Sequence, residues 1–290
     1  MDLDGDGIPD ILSGCYSRME SPMAGLFHIM RGKPDGTFKP TEVIKGTDDK
    51  PLIIPIKGEE QMTENICTRP FAVDWDGDGK LDLVVGNFAG TFYWFKGEGN
   101  GKFNPKPQQI MDSEGQPLHI SGHHSDPFVI DIDGDGDLDI LSGSTEGGVQ
   151  WAENIAGKGK PPVLKPFRPL IKPAKPYKYG EPLKEEDVVG PTTATRIWVA
   201  DINGDGKLDI LVGDNTTLIS PAKGLSREEF DAKRTDWEAK IAAVSKEMND
   251  EKADEAARNK AREKFQKLYE EREKFMKEER TGFVWLYLQK

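Results

Sequence analysis

Short apolar runs alternate with polar turns along most of the chain. The runs are rich in β-branched and aromatic residues and are bounded by Gly, Pro and Asn, a pattern typical of β-strands. They recur in a fixed order: an entering run, a loop, a second run such as Leu83-Val-Val, a third aromatic run and a weaker fourth one. The entering runs are Pro70-Phe-Ala-Val, Pro127-Phe-Val-Ile and Ile197-Trp-Val-Ala. The aromatic runs are Leu26-Phe-His-Ile, Thr91-Phe-Tyr-Trp-Phe, Val149-Gln-Trp-Ala and Phe283-Val-Trp-Leu-Tyr-Leu.

The loop between the first two runs is itself a repeated sequence. Its four copies begin at Asp2, Asp74, Asp131 and Asp201 and read Asp-x-Asp/Asn-Gly-Asp-Gly-x-x-Asp, followed by three residues and a glycine. Four strands in each repeat predict an all-β fold built of β-propeller blades. The first unit has no run ahead of its loop, and the fourth ends without its fourth run. Either the two ends complete one shared blade, or the four units are part of a larger propeller in a longer protein, and we expect the second.

Residues 225–280 interrupt this pattern. More than half of them are charged, and they contain no strand signal. Ser226 and Glu229 have the spacing of a helical capping box. Two apolar stripes at helical spacing then predict an inserted α-helical hairpin of coiled-coil type, leaving 1–224 as repeat units and 281–290 as a returning propeller strand. The stripes are Phe230, Trp237, Ile241, Val244 and Met248, then Ala257, Ala261, Phe265, Leu268 and Phe275.

Composition narrows the classes of function. The chain has 39 basic and 51 acidic residues, a net charge of −12, which argues against a nucleic-acid partner. No apolar run approaches the length of a membrane span, and no signal peptide follows Met1. Two cysteines are too few for a disulfide framework or a multi-cysteine zinc site.

The acidity is concentrated in the repeated loops. Each loop offers side-chain oxygens at its positions one, three, five and nine, and hard cations such as Ca²⁺ bind six to eight oxygens. Without a cation, the converging carboxylates would repel one another. We therefore predict four Ca²⁺ sites. Their side-chain ligands are Asp2, Asp4, Asp6 and Asp10; Asp74, Asp76, Asp78 and Asp82; Asp131, Asp133, Asp135 and Asp139; and Asp201, Asn203, Asp205 and Asp209.

Two other calcium motifs share part of this pattern. An EF-hand and a dockerin-like module both need an acidic residue at position twelve, where this chain has Ser13, Val85, Ser142 and Val212. Both motifs also continue into a helix, whereas strand-like runs follow these loops. The remaining alternative is that the loops are solvated Asp-Gly turns that bind no metal.

These loops and their flanking runs resemble FG-GAP or VCBS repeats, the units of the integrin α-subunit propeller and of many exported bacterial proteins. The resemblance covers about 1–220 and 281–290 and implies calcium-stabilised blades around the ligands named above. Such propellers usually have more than four blades, which also suggests a larger protein. Since the family is mostly secreted or cell-surface, and extracellular modules bind Ca²⁺ at about 0.1–1 mM, we expect export with the signal encoded upstream.

Aligning the repeats suggests a ligand site as well. In propellers of this type, the residues before the entering run lie on the face opposite the calcium loops. Arg69, Asp126 and Arg196 occupy equivalent positions there, and His123 and His124 precede Asp126. These five residues are the candidate polar site for an unidentified protein or carbohydrate ligand. The alternative is that they are ordinary strand-end ion pairs.

The function predicted from the sequence is a calcium-binding propeller that acts as a non-catalytic binding or scaffold module. The alternative is a polysaccharide lyase or hydrolase that uses the histidine and arginine face. Trp94, Trp151 and Trp285 recur at one strand position, where core packing is the simpler interpretation than a sugar platform. Cys15 and Cys67 are either a disulfide near that face or two separate, partly buried thiols.

Overall fold

Each aspartate loop belongs to one antiparallel β-sheet. The computed structural model describes residues 1–19, 23–174, 182–250 and 254–290. The first sheet contains β1 (Ile11–Gly14), β2 (Phe27–Met30) and β3 (Glu42–Val43). The second contains β4 (Arg69–Val73), β5 (Asp82–Gly86), β6 (Phe92–Phe95) and β9 (Gln108–Gln109). The third contains β10 (Asp126–Ile130), β11 (Asp139–Gly143), β12 (Val149–Ala152) and β13 (Arg168–Ile171). The fourth contains β14 (Thr193–Ala200), β15 (Asp209–Pro221), β16 (Met276–Thr281) and β17 (Val284–Tyr287).

Smaller elements lie between these strands. A two-stranded ribbon of β7 (Gly97–Gly99) and β8 (Lys102–Phe103) follows the third strand of the second sheet, and short 3-10 helices span Glu59–Glu64 and Glu185–Asp187. The predicted repeat of strands is thus confirmed as several antiparallel sheets in a mainly β structure.

The chain divides into two compact units. The sheet unit comprises Met1–Ala174, Gly190–Asp214 and Phe283–Lys290, and the hairpin unit comprises Lys175–Val189 and Asn215–Gly282. Within the sheet unit, successive sheets share apolar clusters. Phe27 packs on Phe95 between the first and second sheets, with 5.5 Å between ring centroids. Comparable clusters join the second sheet to the third and the third to the fourth.

The recurring tryptophans belong to these clusters, as predicted. Trp151 is buried between the third and fourth sheets, where Trp285 packs against the same cluster, and Trp94 packs against the cluster of the second and third. The Arg168 guanidinium carbon lies 4.1 Å from the centre of the Trp151 ring. Burying a large apolar side chain stabilises a fold by about 1.5–3 kcal/mol, so each cluster makes a substantial contribution.

A buried hydroxyl ties each sheet to the preceding one. The Thr68 hydroxyl accepts from the Cys15 amide at 3.3 Å. In the next repeat, Ser125 accepts from the Asn87 amide at 2.8 Å and donates to the Thr91 carbonyl at 2.8 Å. Thr195 makes the same two bonds to the third sheet, at 3.0 and 2.8 Å. We call Thr68, Ser125 and Thr195 the latch residues.

A glycine at the end of the strand that follows each of the first three aspartate loops makes this approach possible. A Cβ atom on Gly14, Gly86 or Gly143 would lie 1.8–2.2 Å from the carbonyl oxygen of a latch residue, which is closer than atoms can pack. The equivalent glycine of the fourth sheet, Gly213, has its nearest neighbour, the Arg196 carbonyl oxygen, at 4.0 Å. The repeated glycine is therefore required at three junctions and not at the fourth position.

The hairpin unit contains the two described helices, α1 (Arg227–Met248) and α2 (Glu255–Arg272). Ser226 and Glu229 form the predicted capping box, with bonds of 3.2 and 2.8 Å. The α1 stripe faces a small core in which Phe230, Trp237 and Phe275 are buried. Neither helix is both long and apolar enough to cross a membrane.

The end of the hairpin differs from the sequence prediction. Met276–Thr281 forms β16, paired with Thr216–Pro221 of β15, where a strand-free segment was expected up to Arg280. Its other residues are polar and exposed or partly exposed, and only Met276 is buried, so no apolar alternation marks the strand. Phe275 lies beyond α2, and Ala257 is exposed rather than part of an apolar stripe.

The junction glycines give a matched pair of variants. We expect Gly86→Ala to lower the free energy of unfolding by about 1–3 kcal/mol, because the added methyl group displaces the Ser125 backbone. Gly213→Ala should change it by less than about 0.5 kcal/mol. Urea denaturation followed by tryptophan fluorescence compares the two variants. Equal losses of unfolding free energy in the two variants would show that Gly86 is not required by the close contact between the sheets.

Candidate cation loops and ligand pocket

The first aspartate of each loop folds the loop around itself. Asp2 accepts from the amides of Gly5, Asp6 and Gly7 at 2.7–3.1 Å, and Asp201 makes the same three contacts at 2.7–3.1 Å. Asp131 accepts from two loop amides, at 2.7 and 2.9 Å. Such tight turns need the loop glycines, whose φ angles are positive, for example 79° at Gly5 and 84° at Gly7.

This folding brings carboxylates together at the mouth of each loop. Oxygens from three aspartates lie within 4.8 Å of one another in the first three loops, a spacing at which they can share one cation. In the fourth loop, the Asn203 amide donates to Asp205 at 3.2 Å. The groups are Asp2, Asp4 and Asp6; Asp74, Asp76 and Asp78; and Asp131, Asp133 and Asp139.

Some of these oxygens are buried without a hydrogen-bond donor. They include Oδ1 of Asp4 and Oδ1 of Asp74, for which the described part of the chain supplies no partner. A buried carboxylate oxygen without a partner is costly, and a bound cation would remove that cost. The residues present therefore fit a hard divalent cation.

The last aspartate of each loop has a different environment. Asp82 is fully buried and accepts from the Trp75 amide at 3.0 Å and the Gly97 amide at 2.5 Å. The equivalent residues, Asp10, Asp139 and Asp209, each accept from two backbone amides in the same way. We call these four the base aspartates, because they fix the loop to the chain just beyond the aromatic strand of the same sheet. Burial raises the pKa of Asp139 to about 6.

Basic side chains reach the first two loops. The Arg31 guanidinium lies 3.3 Å from Asp4 Oδ2 and 3.0 Å from Asp10 Oδ2. The Lys96 ammonium contacts Asp76 and lies 2.9 Å from Asp78 Oδ2. Arg31 follows β2 and Lys96 follows β6, the aromatic strands of their sheets, so they are equivalent positions in the repeat.

The predicted ligand residues lie beside a second feature, an open pocket of about 490 Å³. Asp126 lies between two arginines, with Arg69 Nη1 at 3.8 Å and Arg196 Nε at 3.3 Å. Arg69, His124 and Asp126 line the pocket, and Arg196 is linked to it through Asp126. His123 is not among the lining residues; its ring stacks on Phe88, 5.8 Å between ring centroids, and the His124 ring contacts the same Phe88 at 4.5 Å.

Two nitrogen atoms at the pocket are buried and unpaired. Arg69 Nε and His124 Nδ1 have no hydrogen-bond partner among the residues described. Burial lowers the pKa of His124, and so do the charges of the neighbouring Arg69 and His123. The His124 ring is therefore neutral near pH 7. Burial raises the pKa of Asp126 to about 6, against the opposing effect of Arg69. The pocket can therefore receive a ligand with hydrogen-bonding oxygens.

Three further lining residues of this pocket are not in the ligand site predicted from the sequence, although the two cysteines among them were expected near this face. Tyr16, Cys15 and Cys67 also line the pocket. Both cysteines are free thiols, and burial raises the pKa of Cys67. Cys67 and His124 have φ angles of 54° and 61° immediately before their latch residues. A signal was available in the repeat alignment, since Cys67 and His124 occupy equivalent positions.

Comparisons with known proteins bear on the repeats. Residues 74–142 match a family described as FG-GAP-like repeat. A solved structure of a mutant Tc holotoxin pore from Photorhabdus luminescens aligns with 73% of this chain at 12% identity and a TM-score of 0.36, and the aligned part is 8% of that chain. No curated protein matches the sequence.

The base and mouth aspartates should respond differently to truncation. We expect Asp82→Ala, measured in chelator, to lower the free energy of unfolding by about 2–4 kcal/mol, because two buried amides lose their acceptor. The exposed Asp78→Ala should cost less than about 1 kcal/mol. Urea denaturation provides the comparison. A small loss for Asp82→Ala would contradict its structural role.

Proposed function

We propose that this chain, an FG-GAP repeat protein, forms blades of a calcium-stabilised β-propeller that acts as a non-catalytic binding or scaffold module. The observation that carries the proposal is the recurrence of one arrangement: a loop that gathers three carboxylates at the mouth of each of its first three copies. A single acidic turn could arise for local reasons, but recurrence with the same backbone bonds indicates one common ligand. Oxygen donors alone favour Ca²⁺ over softer metals.

The contacts between sheets support a blade arrangement. The first strands of neighbouring repeats lie beside each other, β4 against β10 and β10 against β14, and β1 contacts β4. Within the second and third sheets the strands follow in chain order from this inner position outwards. The shared apolar clusters and the latch residues recur at each junction, as radial repetition of blades requires.

Calcium would supply positive charge where the fold concentrates negative charge. Four bound divalent ions would neutralise about two thirds of the net charge of −12. The aspartates at positions one, three and five would hold the ion and the base aspartates hold the loop to the sheet, with Asp139 placed for both roles in the third loop. Because the loops are assembled only in the folded chain, binding stabilises folding by mass action.

Chelation tests this part of the proposal. We expect the melting temperature to be higher in millimolar Ca²⁺ than in chelator, since a ligand at about 100 times its Kd contributes about 2.7 kcal/mol. At a Ca²⁺ concentration too low to saturate the sites, Asp76→Ala should reduce the rise in melting temperature that Ca²⁺ produces. Differential scanning calorimetry measures both effects, with equimolar Mg²⁺ as the control. A melting curve that is the same in chelator and in Ca²⁺ would exclude the calcium role.

The pocket supports a polar ligand. Arg69 Nε is a buried donor without a partner, and His124 Nδ1 lies near it, so a carboxylate or hydroxyl oxygen would satisfy groups that the described residues leave unpaired. Acidic sugars and acidic protein side chains both carry such oxygens. This chemistry matches a glycan or protein ligand bound without turnover.

One observation favours the alternative, a polysaccharide-acting lyase or hydrolase. A histidine of lowered pKa and an arginine line the same pocket, and a neutral imidazole beside a group that neutralises a carboxylate is a workable base for proton abstraction. A binding module would retain an acidic polysaccharide unchanged. An enzyme would shorten it and release new chain ends.

Affinity electrophoresis in polygalacturonate distinguishes these functions. We expect the protein to be retarded relative to a dextran gel, and Arg69→Ala to abolish the retardation by removing the unpaired donor. Arg168→Ala is the control, because Arg168 covers Trp151 away from the pocket. Equal retardation of both variants would exclude the pocket as the binding site for the polysaccharide. Appearance of unsaturated or reducing ends would favour the enzyme.

We further propose that the protein acts outside the cytoplasm. Loops of this type in extracellular modules bind Ca²⁺ at about 10⁻⁴–10⁻³ M, a concentration that extracellular fluids supply and the cytosol does not. Fractionation of the native host with an antibody to this chain would locate it. Recovery from the cytoplasm alone would contradict this proposal.

A further inference from the structure

The third loop differs from the others at position seven. That position is Ile8 in the first loop, Lys80 in the second, Asp137 in the third and Lys207 in the fourth. The third loop therefore carries five carboxylates in nine residues, while the fourth has only three and an asparagine. In the repeat pattern, position seven is expected to contribute its backbone carbonyl, so a carboxylate there is an addition.

Asp137 is held at the loop rather than projecting into solvent. The residue is only 6% exposed, and its Oδ2 accepts from the Gly157 amide at 2.6 Å. Its Oδ1 is buried with no hydrogen-bond partner in the described ranges. The carboxylates that act on the Asp137 carboxyl include those of Asp135 and Asp133 in the same loop.

The loops also differ in the basic groups that reach them. Lys96 contacts two mouth aspartates of the second loop, and Arg31 pairs with Asp4 in the first. The third-loop residue equivalent to Lys96 is Glu153, which instead pairs with Lys165 at 2.8 Å. Among the described residues, no lysine or arginine forms an ion pair with a third-loop carboxylate. The cluster with the most negative charge thus lacks the ion pairs found in the first two loops, as the fourth loop does, although the Lys158 side chain packs against Gly136 beside it.

We propose that the third loop is the highest-affinity Ca²⁺ site of the chain, with Asp137 as an additional ligand, and that Lys96 competes with Ca²⁺ at the second loop. This rests on the proposed calcium function and assigns the order of its sites. Calcium affinity rises with the number of charged ligands, and an ammonium on the same carboxylates must be displaced before a cation can bind. As the Ca²⁺ concentration rises, the loops then bind the ion one after another in order of affinity, not all at once.

Isothermal titration with CaCl₂ of the chelator-treated chain tests the order. We expect a first and tightest binding event with a stoichiometry of about one Ca²⁺ per chain, followed by weaker binding events. Asp137→Asn should weaken the first event at least tenfold. Asparagine keeps an acceptor for the Gly157 amide, so a role limited to that bond would leave the affinity unchanged. Glu114→Gln, an exposed acidic residue outside the loops, is the control.

The outcomes separate the two proposals. If the wild-type chain binds no Ca²⁺, the proposed calcium function fails. If it binds Ca²⁺ and Asp137→Asn leaves the first event unchanged, the proposed order fails and the calcium function stands. Should Asp137→Asn not fold, Lys207→Asp adds the same carboxylate to the fourth loop at an exposed position. A second tight event is then expected, and its absence overturns the proposal.

The role of Lys96 has its own variant. Lys96→Met keeps the length of the side chain and removes its charge, so one of the weaker events should tighten several-fold. Lys102→Met is the matched control, because Lys102 lies in the same repeat and pairs only at 3.8 Å with Asp49 among the described residues. Equal titrations for both variants would show that Lys96 does not compete.

Discussion

The structure depends on how closely one sheet can approach the next. At three junctions, the glycine that ends a second strand lies directly beneath the backbone of the following repeat, with no room for a single methyl group. The buried hydroxyl of the latch residue then takes up the backbone groups that this contact would otherwise leave unpaired. The apolar clusters between the sheets can close only at that separation. The distance between neighbouring backbones therefore sets the separation of the sheets, and the side chains of the apolar clusters pack within it.

The aspartates of each loop divide into two kinds by burial. The base aspartates are buried and accept from backbone amides of the sheet, whereas the aspartates at positions one, three and five are less buried and lie close to one another, the first of them also accepting from loop amides. The loop is thereby folded by some of its carboxylates and left with unbalanced charge on the others. This separation explains how a metal-responsive loop can be part of a sheet that is hydrogen-bonded independently of metal.

Much of this architecture could be predicted from the sequence because the repeats can be aligned. Strands such as Phe92–Phe95 are apolar on both faces, and their loops carry an unmistakable spacing. β16 could not be found in this way, since a ribbon strand exposed on most of its surface carries polar residues. The alignment also brought Arg69, Asp126 and Arg196 together. It could not separate His123 from His124: both rings pack against Phe88, and of the two only His124, which has a positive φ, lines the pocket.

The open space beside Gly213 has a consequence for how such chains change length. The fourth sheet keeps the junction glycine although nothing presses on it, and Trp198, Val284 and Leu286 are 59%, 74% and 49% exposed. That sheet already has the shape that receives a neighbour elsewhere in the chain. A further repeat unit added next to it would meet a glycine that already leaves room for an incoming backbone, so lengthening the array requires no change at this position of the fourth sheet.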